Sequence, residues 1–437
     1  MMRFYNREQE LSELQRIRER SLQNAQMTVM VGRRRIGKTS LLKKDSEENL
    51  SVYLFVSRKS EILLCEEFVE TIKDTLQVNS FGQITKIKDL FAWIMELSES
   101  RSFTLILDEF QEFLNINPSI FSDIQNIWDS KKGKSKINLI FCGSIYSMMN
   151  QIFENSKEPL FSRATSKINV GPFDVATLKE ILTDNYPTFS GGDLLNFYTF
   201  TGGVAKYVES FVQNQSFALD DILKSIFREN SFFLEEGKNV LIEEFGKDYA
   251  TYFSILSLIA SSKTSRPEIE SILEMGVGGY LDRLENDFSI IKKIKPIFAK
   301  SGSRQIKYEI ADNFLSFWFR FIYKNRSAVE IGNFQYVEKL VRRDYSTFSG
   351  KMLERYFIEK LKLSMQFSEI GTFWDKKNQN EIDIVAINEI EKRVVFAEIK
   401  LNKAKINLLE LKEKSNALDS FLLGYTKEYL ALSLQDM

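Results

Sequence analysis

Residues 27–41 read MTVMVGRRRIGKTSL. Thr28 to Val31 is a short apolar, β-branched run, the pattern of a buried strand. It ends at Gly32, and Gly37-Lys38-Thr39 follows at the spacing GxxxxGK[ST]. Two glycines let the loop fold tightly, so that successive backbone N–H groups point at phosphate oxygens. The helix that begins there adds the positive end of its dipole. The nucleotide-binding stretch is then Gly32, Arg33, Arg34, Arg35, Ile36, Gly37, Lys38, Thr39 and Ser40. Lys38 reaches the β- and γ-phosphates, and Thr39 presents its hydroxyl to Mg²⁺.

Such a loop needs a carboxylate at the end of a second buried strand. SFTLILDEF, residues 102–110, supplies Asp108-Glu109 after an apolar run. Asp108 is expected to hold Mg²⁺ through water, and Glu109 to polarise the attacking water. A third strand, INLIFCGS (137–144), ends in Ser144, a small polar group placed to sense a γ-phosphate. Strands alternate with helical patterns, which predicts an α/β fold with a parallel sheet.

These pieces resemble the AAA-type P-loop ATPases of the archaeal ATPase family. The likeness rests on FYNREQELSEL, GRRRIGKTSLL, LILDEFQEF, FCGSIYSMM, the PLFSRAT stretch with Arg163, and TGGVAKY at 201–207. It implies ATP and Mg²⁺ as cofactors, Ser144 as the sensor-one position and Arg163 as an arginine finger. A finger acting in trans needs a homo-oligomer or protein partner; otherwise Arg163 is a surface arginine. Ala205 departs from the family pattern, which has proline there, and leaves the role of Lys206 open.

Composition narrows the chemistry. The 437 residues contain no histidine and two cysteines, Cys65 and Cys142. That excludes imidazole-dependent triads, HExxH zinc sites and a disulfide framework. What remains is carboxylate, lysine, arginine, hydroxyl and backbone-amide chemistry with hard cations. Net charge is −1, so any nucleic-acid surface is a local patch. No apolar run approaches the ~20 residues of a membrane span. The opening MMRFYNREQE lacks the apolar core of a signal peptide, so a cytoplasmic protein without membrane partners is expected.

Four domains are expected: a P-loop ATPase core (1–175), a helical lid (176–245), a winged helix (246–330) and an α/β tail (331–437). Asp174 caps the first lid helix. Ser265 and Glu268 stand at capping-box spacing. Two strands, IIKKIKPIFA and QIKYEIAD, joined by KSGSR, form a wing carrying Lys292, Lys293, Lys295, Lys300, Arg304 and Lys307. That patch suits DNA phosphates. The helix before it carries Asp282, Glu285 and Asp287 against Arg283, which argues instead for a structural or inter-domain role. The aromatic segment ADNFLSFWFRFI (311–322) is expected to pack in a core.

The tail contains NEIDIVAINEIEKRVVFAEIK, residues 380–400. A turn centred between Ile390 and Glu391 makes Asp383 face Glu398 and Glu381 face Lys400, all on one side. The other side is apolar: Ile382, Ile384, Ala386, Ala397 and Ile399. Facing carboxylates in a buried strand need a cation or protons. Asp-x14-Glu-x-Lys resembles the PD-(D/E)xK core of restriction-endonuclease-like nucleases. The likeness implies Mg²⁺ on Asp383 and Glu398, a further acid from Glu354, and Lys400 steadying water or phosphate, with DNA as the partner. GTFWDKKNQNEIDIVA then resembles the strand-turn-strand that leads to the aspartate. The alternatives are a salt bridge from Glu381 to Lys400 at a strand end with Asp383 solvated, or the nuclease-like fold without the activity.

Overall fold

The computed structural model describes residues 3–80, 82–300, 302–375 and 380–437. The described residues divide into two units, residues 6–171 and residues 172–437 joined by residues 3–5.

In the first unit, β1 (Gln26–Val31), β2 (Ser51–Phe55), β3 (Phe103–Asp108), β4 (Ile137–Gly143) and β5 (Ser166–Asn169) form one parallel sheet in the order β2-β3-β4-β1-β5. β1, β3 and β4 are buried at every position, as a parallel sheet covered on both faces requires. Val31 pairs with Gly143 and Leu107 with Phe141, so the carboxyl ends of β1, β3 and β4 come out side by side. Polar residues just past those ends are thereby gathered at one edge of the sheet, where open α/β sheets bind ligands.

The second unit begins with five helices between Val175 and Phe245. Asp174 caps the first, accepting from Thr177 N–H at 2.8 Å. Gly237 lies inside the helix Phe232–Phe245, where glycine costs about 1 kcal/mol relative to alanine. The reason is Trp318: a Cβ on Gly237 would come within 2.3 Å of its ring, and the indole N–H donates to Leu234 O at 2.9 Å. Gly237→Ala is therefore expected to destabilise this unit by roughly 1–3 kcal/mol, read as a lower urea midpoint.

Three helices follow, Tyr249–Ala260, Arg266–Leu273 and Gly278–Asn286, the middle one opened by the Ser265–Glu268 capping box. Then comes an antiparallel ribbon of β6 (Ile291–Ile294) and β7 (Lys307–Ile310). β6 is shorter than the sequence suggests, because Pro296 has no N–H to continue the ladder. The chain instead crosses to the tail. Ile297 N–H donates to Thr372 O at 2.8 Å, and the Phe298 ring stacks on Phe421 at 4.9 Å. Ser301, in the expected wing turn, lies outside the described residues.

This crossing settles where the wing lysines go. Lys293 pairs with Glu285 at 3.3 Å. Lys307 pairs with Glu381 at 3.4 Å and sits 4.3 Å over the Trp374 ring. Lys292 is exposed on β6, and no ion pair holds it among the described residues. Two of the six basic residues, Lys293 and Lys307, are thus engaged within the unit, in line with the structural or inter-domain role weighed above. The aromatic segment packs as expected, with Phe317 against Phe200 and Phe314 against Phe233.

The tail sheet has the order β11-β10-β9-β8, from β8 (Glu369–Trp374), β9 (Glu381–Asn388), β10 (Arg393–Ile399) and β11 (Thr426–Leu432). The helix Phe334–Leu363 packs against this sheet, and so does the helix Leu408–Ser415. The turn between β8 and β9, residues 376–379, lies outside the described residues. β9 and β10 are the inner pair, as two strands buried over most of their length should be.

Candidate functional site

The phosphate loop begins where β1 ends. Gly32 runs so close to its neighbour that a Cβ would lie 2.6 Å from Val170 O, and Gly37 takes φ +99, open to glycine at no steric cost. The helix Lys38–Ser46 starts at once. Lys38 is buried, and its ammonium donates to Gly32 O at 2.6 Å and Arg33 O at 3.1 Å. Desolvation lowers its pKa, opposed by Glu109 and Asp108 among its neighbours. A buried ammonium satisfied only by loop carbonyls suits exchange onto phosphate oxygens.

The Thr39 hydroxyl donates to Asp108 at 3.4 Å. Asp108 also accepts from Glu109 N–H at 2.9 Å and from the Tyr53 hydroxyl. Glu109 adopts left-handed backbone, φ 54, a conformation uncommon outside glycine and found where a site dictates it. Its carboxylate accepts from Ser144 Oγ at 2.7 Å and from the Gln111 amide. Arg34 Nε reaches Ser144 Oγ at 3.4 Å. Lys38, Thr39, Asp108, Glu109 and Ser144 therefore meet at one place. A hydroxyl beside a carboxylate is a hard-oxygen donor set, and it fits Mg²⁺.

Three neighbours were not singled out from sequence. Tyr53 and Gln111 orient the two acids; a tyrosine in the otherwise apolar SVYLF was the available signal. Arg7, in FYNREQELSEL, buttresses the loop by donating to Ile36 O at 3.3 Å and Gly171 O at 2.6 Å. Arg163 is not brought to this place. Its guanidinium holds Asp129 at 3.0 Å and donates to Phe161 O at 3.1 Å. In the second unit, Ala205 is the first residue of the helix Ala205–Gln213, and Lys206 pairs with Glu209 at 3.0 Å.

The tail assembles a second cluster. The register that pairs Ile384 with Ala397 puts Asp383 opposite Glu398, as the turn position predicts. Asp383 is not solvated: its carboxylate replaces a ladder carbonyl by accepting from Ile399 N–H at 2.7 Å. Lys400 stands 2.8 Å from Glu398 and 3.7 Å from Asp383. The Glu381–Lys400 bridge is not what forms, since Glu381 pairs with Lys307 instead.

Glu354 approaches from the helix Phe334–Leu363 and is largely buried. Desolvation pushes its pKa up to about 8, with Asp383, Glu309 and Glu381 adding to it. Desolvation likewise raises Asp383 to about 6, against the Ile399 bond and Lys400. Burial thus outranks the like-charge repulsion expected from sequence. Burial alone would lower Lys400, but Glu398 and Asp383 outweigh it and raise it.

Among the described residues, no three His, Cys, Asp or Glu side chains are placed to hold a metal ion together. The expected ligand set of Glu354, Asp383 and Glu398 is therefore not drawn together as a metal centre. Physically, the Lys400 ammonium supplies the compensating charge.

Similar proteins bear on the fold. A full-length likeness is an uncharacterized protein of Methanocaldococcus jannaschii, 29% identical over 411 residues, covering 92% of this chain and 88% of that one. Among solved structures, the Walker-type ATPase PABY2304 of Pyrococcus abyssi superposes with TM-score 0.56 at 18% identity, over 72% of this chain and 96% of that one. The ORC2 protein of Aeropyrum pernix, in ADPNP-ADP complexes, gives TM-score 0.52 at 14% identity, over 74% and 94%. Both share the fold. Among the described residues, no helix is long and apolar enough to cross a membrane. Residues 4–211 match the model of an ATPase domain found predominantly in Archaea, and residues 318–415 that of a family of archaeal and bacterial proteins of unknown function.

Proposed function

We propose that the chain is a cytoplasmic, Mg²⁺-dependent ATP hydrolase whose nucleotide state governs a nuclease-like tail directed at DNA. The observation that carries the ATPase reading is the meeting of Lys38, Thr39, Asp108 and the Ser144–Glu109 pair. Lys38 and the loop amides hold the phosphates. Thr39 and Asp108 are the residues that would hold Mg²⁺, which neutralises phosphate charge when bound. Glu109 orients the attacking water and takes up its proton, while Ser144 and Gln111 fix its carboxylate. Arg163, released from Asp129, acts on the site of a second copy. The nucleotide complexes of the Aeropyrum protein support ATP and ADP as ligands.

Replacing the Lys38 ammonium removes charge-assisted bonds worth about 1.5–3 kcal/mol. Lys38→Ala is expected to weaken ATP binding by about 10- to 100-fold in a fluorescent-nucleotide titration. Parental affinity would remove the phosphate-loop assignment.

For the tail, the Asp383–Glu398–Lys400 arrangement with a buried Glu354 supports the nuclease-like reading. A second reading is favoured by Lys400 lying between the two acids and by the engaged wing lysines. In it, the tail is a non-cleaving switch that binds DNA or a protein partner. Plasmid nicking with Mg²⁺ or Mn²⁺, with and without ATP, separates them. Cleavage that disappears in Asp383→Asn supports the nuclease; intact plasmid under every condition supports the switch.

A further inference from the structure

A cavity of about 300 Å³ lies in the second unit, lined by no residue of either cluster above. One wall is the helical run that follows β7. Its segment Trp318–Ile322 is a π-helix, and Tyr323–Asn325 a 3₁₀ turn. Such π segments are rare and are frequently found at functional sites. Here the change of helical gauge carries Arg320 and Lys324 onto the cavity. The facing wall is one side of the helix Phe334–Leu363, where Tyr336, Leu340 and Arg343 follow at spacings of four and three.

The cations are set before any ligand arrives. Arg320 donates to Ala260 O at 3.3 Å, and its guanidinium lies 5.5 Å and 5.8 Å from the Phe321 and Phe348 rings. Lys324 has no hydrogen bond or ion pair among the described residues. Asp344 is the one acid lining the cavity, and Arg343 binds both its oxygens, at 2.8 and 3.0 Å. Its carboxyl is held below the usual range by Arg343 first, with Arg320 and Lys324 adding to it. Three cations against one carboxylate leave an excess of two positive charges.

We infer that this cavity binds a phosphomonoester, at a site separate from the phosphate loop. A phosphomonoester carries about −1.5 to −2 charge at neutral pH, which matches the excess. Guanidinium groups pair with phosphate oxygens in fixed, forked geometry. The volume is at the small end of ligand pockets, about 300–1,000 Å³, enough for the phosphate and part of what bears it. The source is either a free nucleoside monophosphate or the 5′-phosphorylated end of a nucleic-acid strand.

The test uses the full chain with Lys38→Ala, so that the phosphate loop does not compete. AMP is compared with adenosine, and a 5′-phosphorylated oligothymidylate with its 5′-hydroxyl form, by calorimetry and anisotropy. At least one phosphorylated probe is expected to bind tenfold or more tighter than its counterpart, and the pair that responds identifies the source. Adding Lys324→Gln and Arg343→Gln, both exposed positions, is expected to erase that preference while near-UV circular dichroism stays unchanged. No preference for phosphate in the Lys38→Ala chain, or a preference that survives the two substitutions, overturns the assignment.

Discussion

Glu109→Gln is expected to bind ATP as the parent does and to release phosphate about 10²- to 10⁴-fold more slowly, the usual contribution of a positioned general base. The substitution keeps the size of the side chain and its place at the end of β3. What it removes is the group that can take a proton from water. Lys38, Thr39 and Asp108 are untouched, so nucleotide affinity should hold. Ser144 and Gln111 now donate to a neutral acceptor, which weakens their grip without moving the backbone. Steady-state phosphate release beside a fluorescent-nucleotide titration reads both quantities. Turnover within a few-fold of the parent would show that another group activates the water.

Glu354→Gln is expected to be more stable than the parent above pH 8 and nearly equal to it near pH 5. Burial, followed by Asp383, Glu309 and Glu381, raises the folded-state pKa of Glu354 from an ordinary 4.5 to about 8. A group raised in this way holds its proton more tightly folded than unfolded. Its contribution is fully present below the unfolded value and is lost as pH rises through about 8. Each unit of difference is worth about 1.4 kcal/mol, so the loss amounts to a few kcal/mol across that window. Asp383 adds a smaller loss between its ordinary 3.8 and about 6. Glutamine carries no such proton, so the part of the slope that Glu354 contributes should disappear. Urea unfolding of the full chain from pH 5 to 8.5 measures it. Parallel curves for parent and variant would mean that Glu354 is as well solvated folded as unfolded.

What could be read from sequence was what local periodicity dictates. The spacing of Gly32, Gly37, Lys38 and Thr39 leaves little choice of loop geometry. Alternation in β9 and β10 fixes the side on which Asp383, Glu398 and Lys400 emerge. Distant partners could not be read. Lys293 and Lys307 look like part of a free basic wing because Glu285 and Glu381 lie on other elements. Glu381 and Lys400 look like partners until Lys307 is placed beside Glu381. The cavity of Arg320, Lys324 and Arg343 depends on a π segment, and a pattern read at 3.6 residues per turn points Arg320 and Lys324 elsewhere.

The Ile297–Thr372 hydrogen bond and the Phe298–Phe421 stack also decide how this protein can be cut. β8 is an outermost strand of its sheet, and such a strand, left bare, recruits other chains. The crossing segment covers part of that border from a position outside the tail itself. A fragment starting near residue 331 would lose the cover, together with Ile297 from the tail's apolar cluster. It should self-associate, whereas a fragment beginning before the ribbon should stay dispersed. Residues 295–298 thus act as a shield for β8 that belongs, by chain position, to its neighbour.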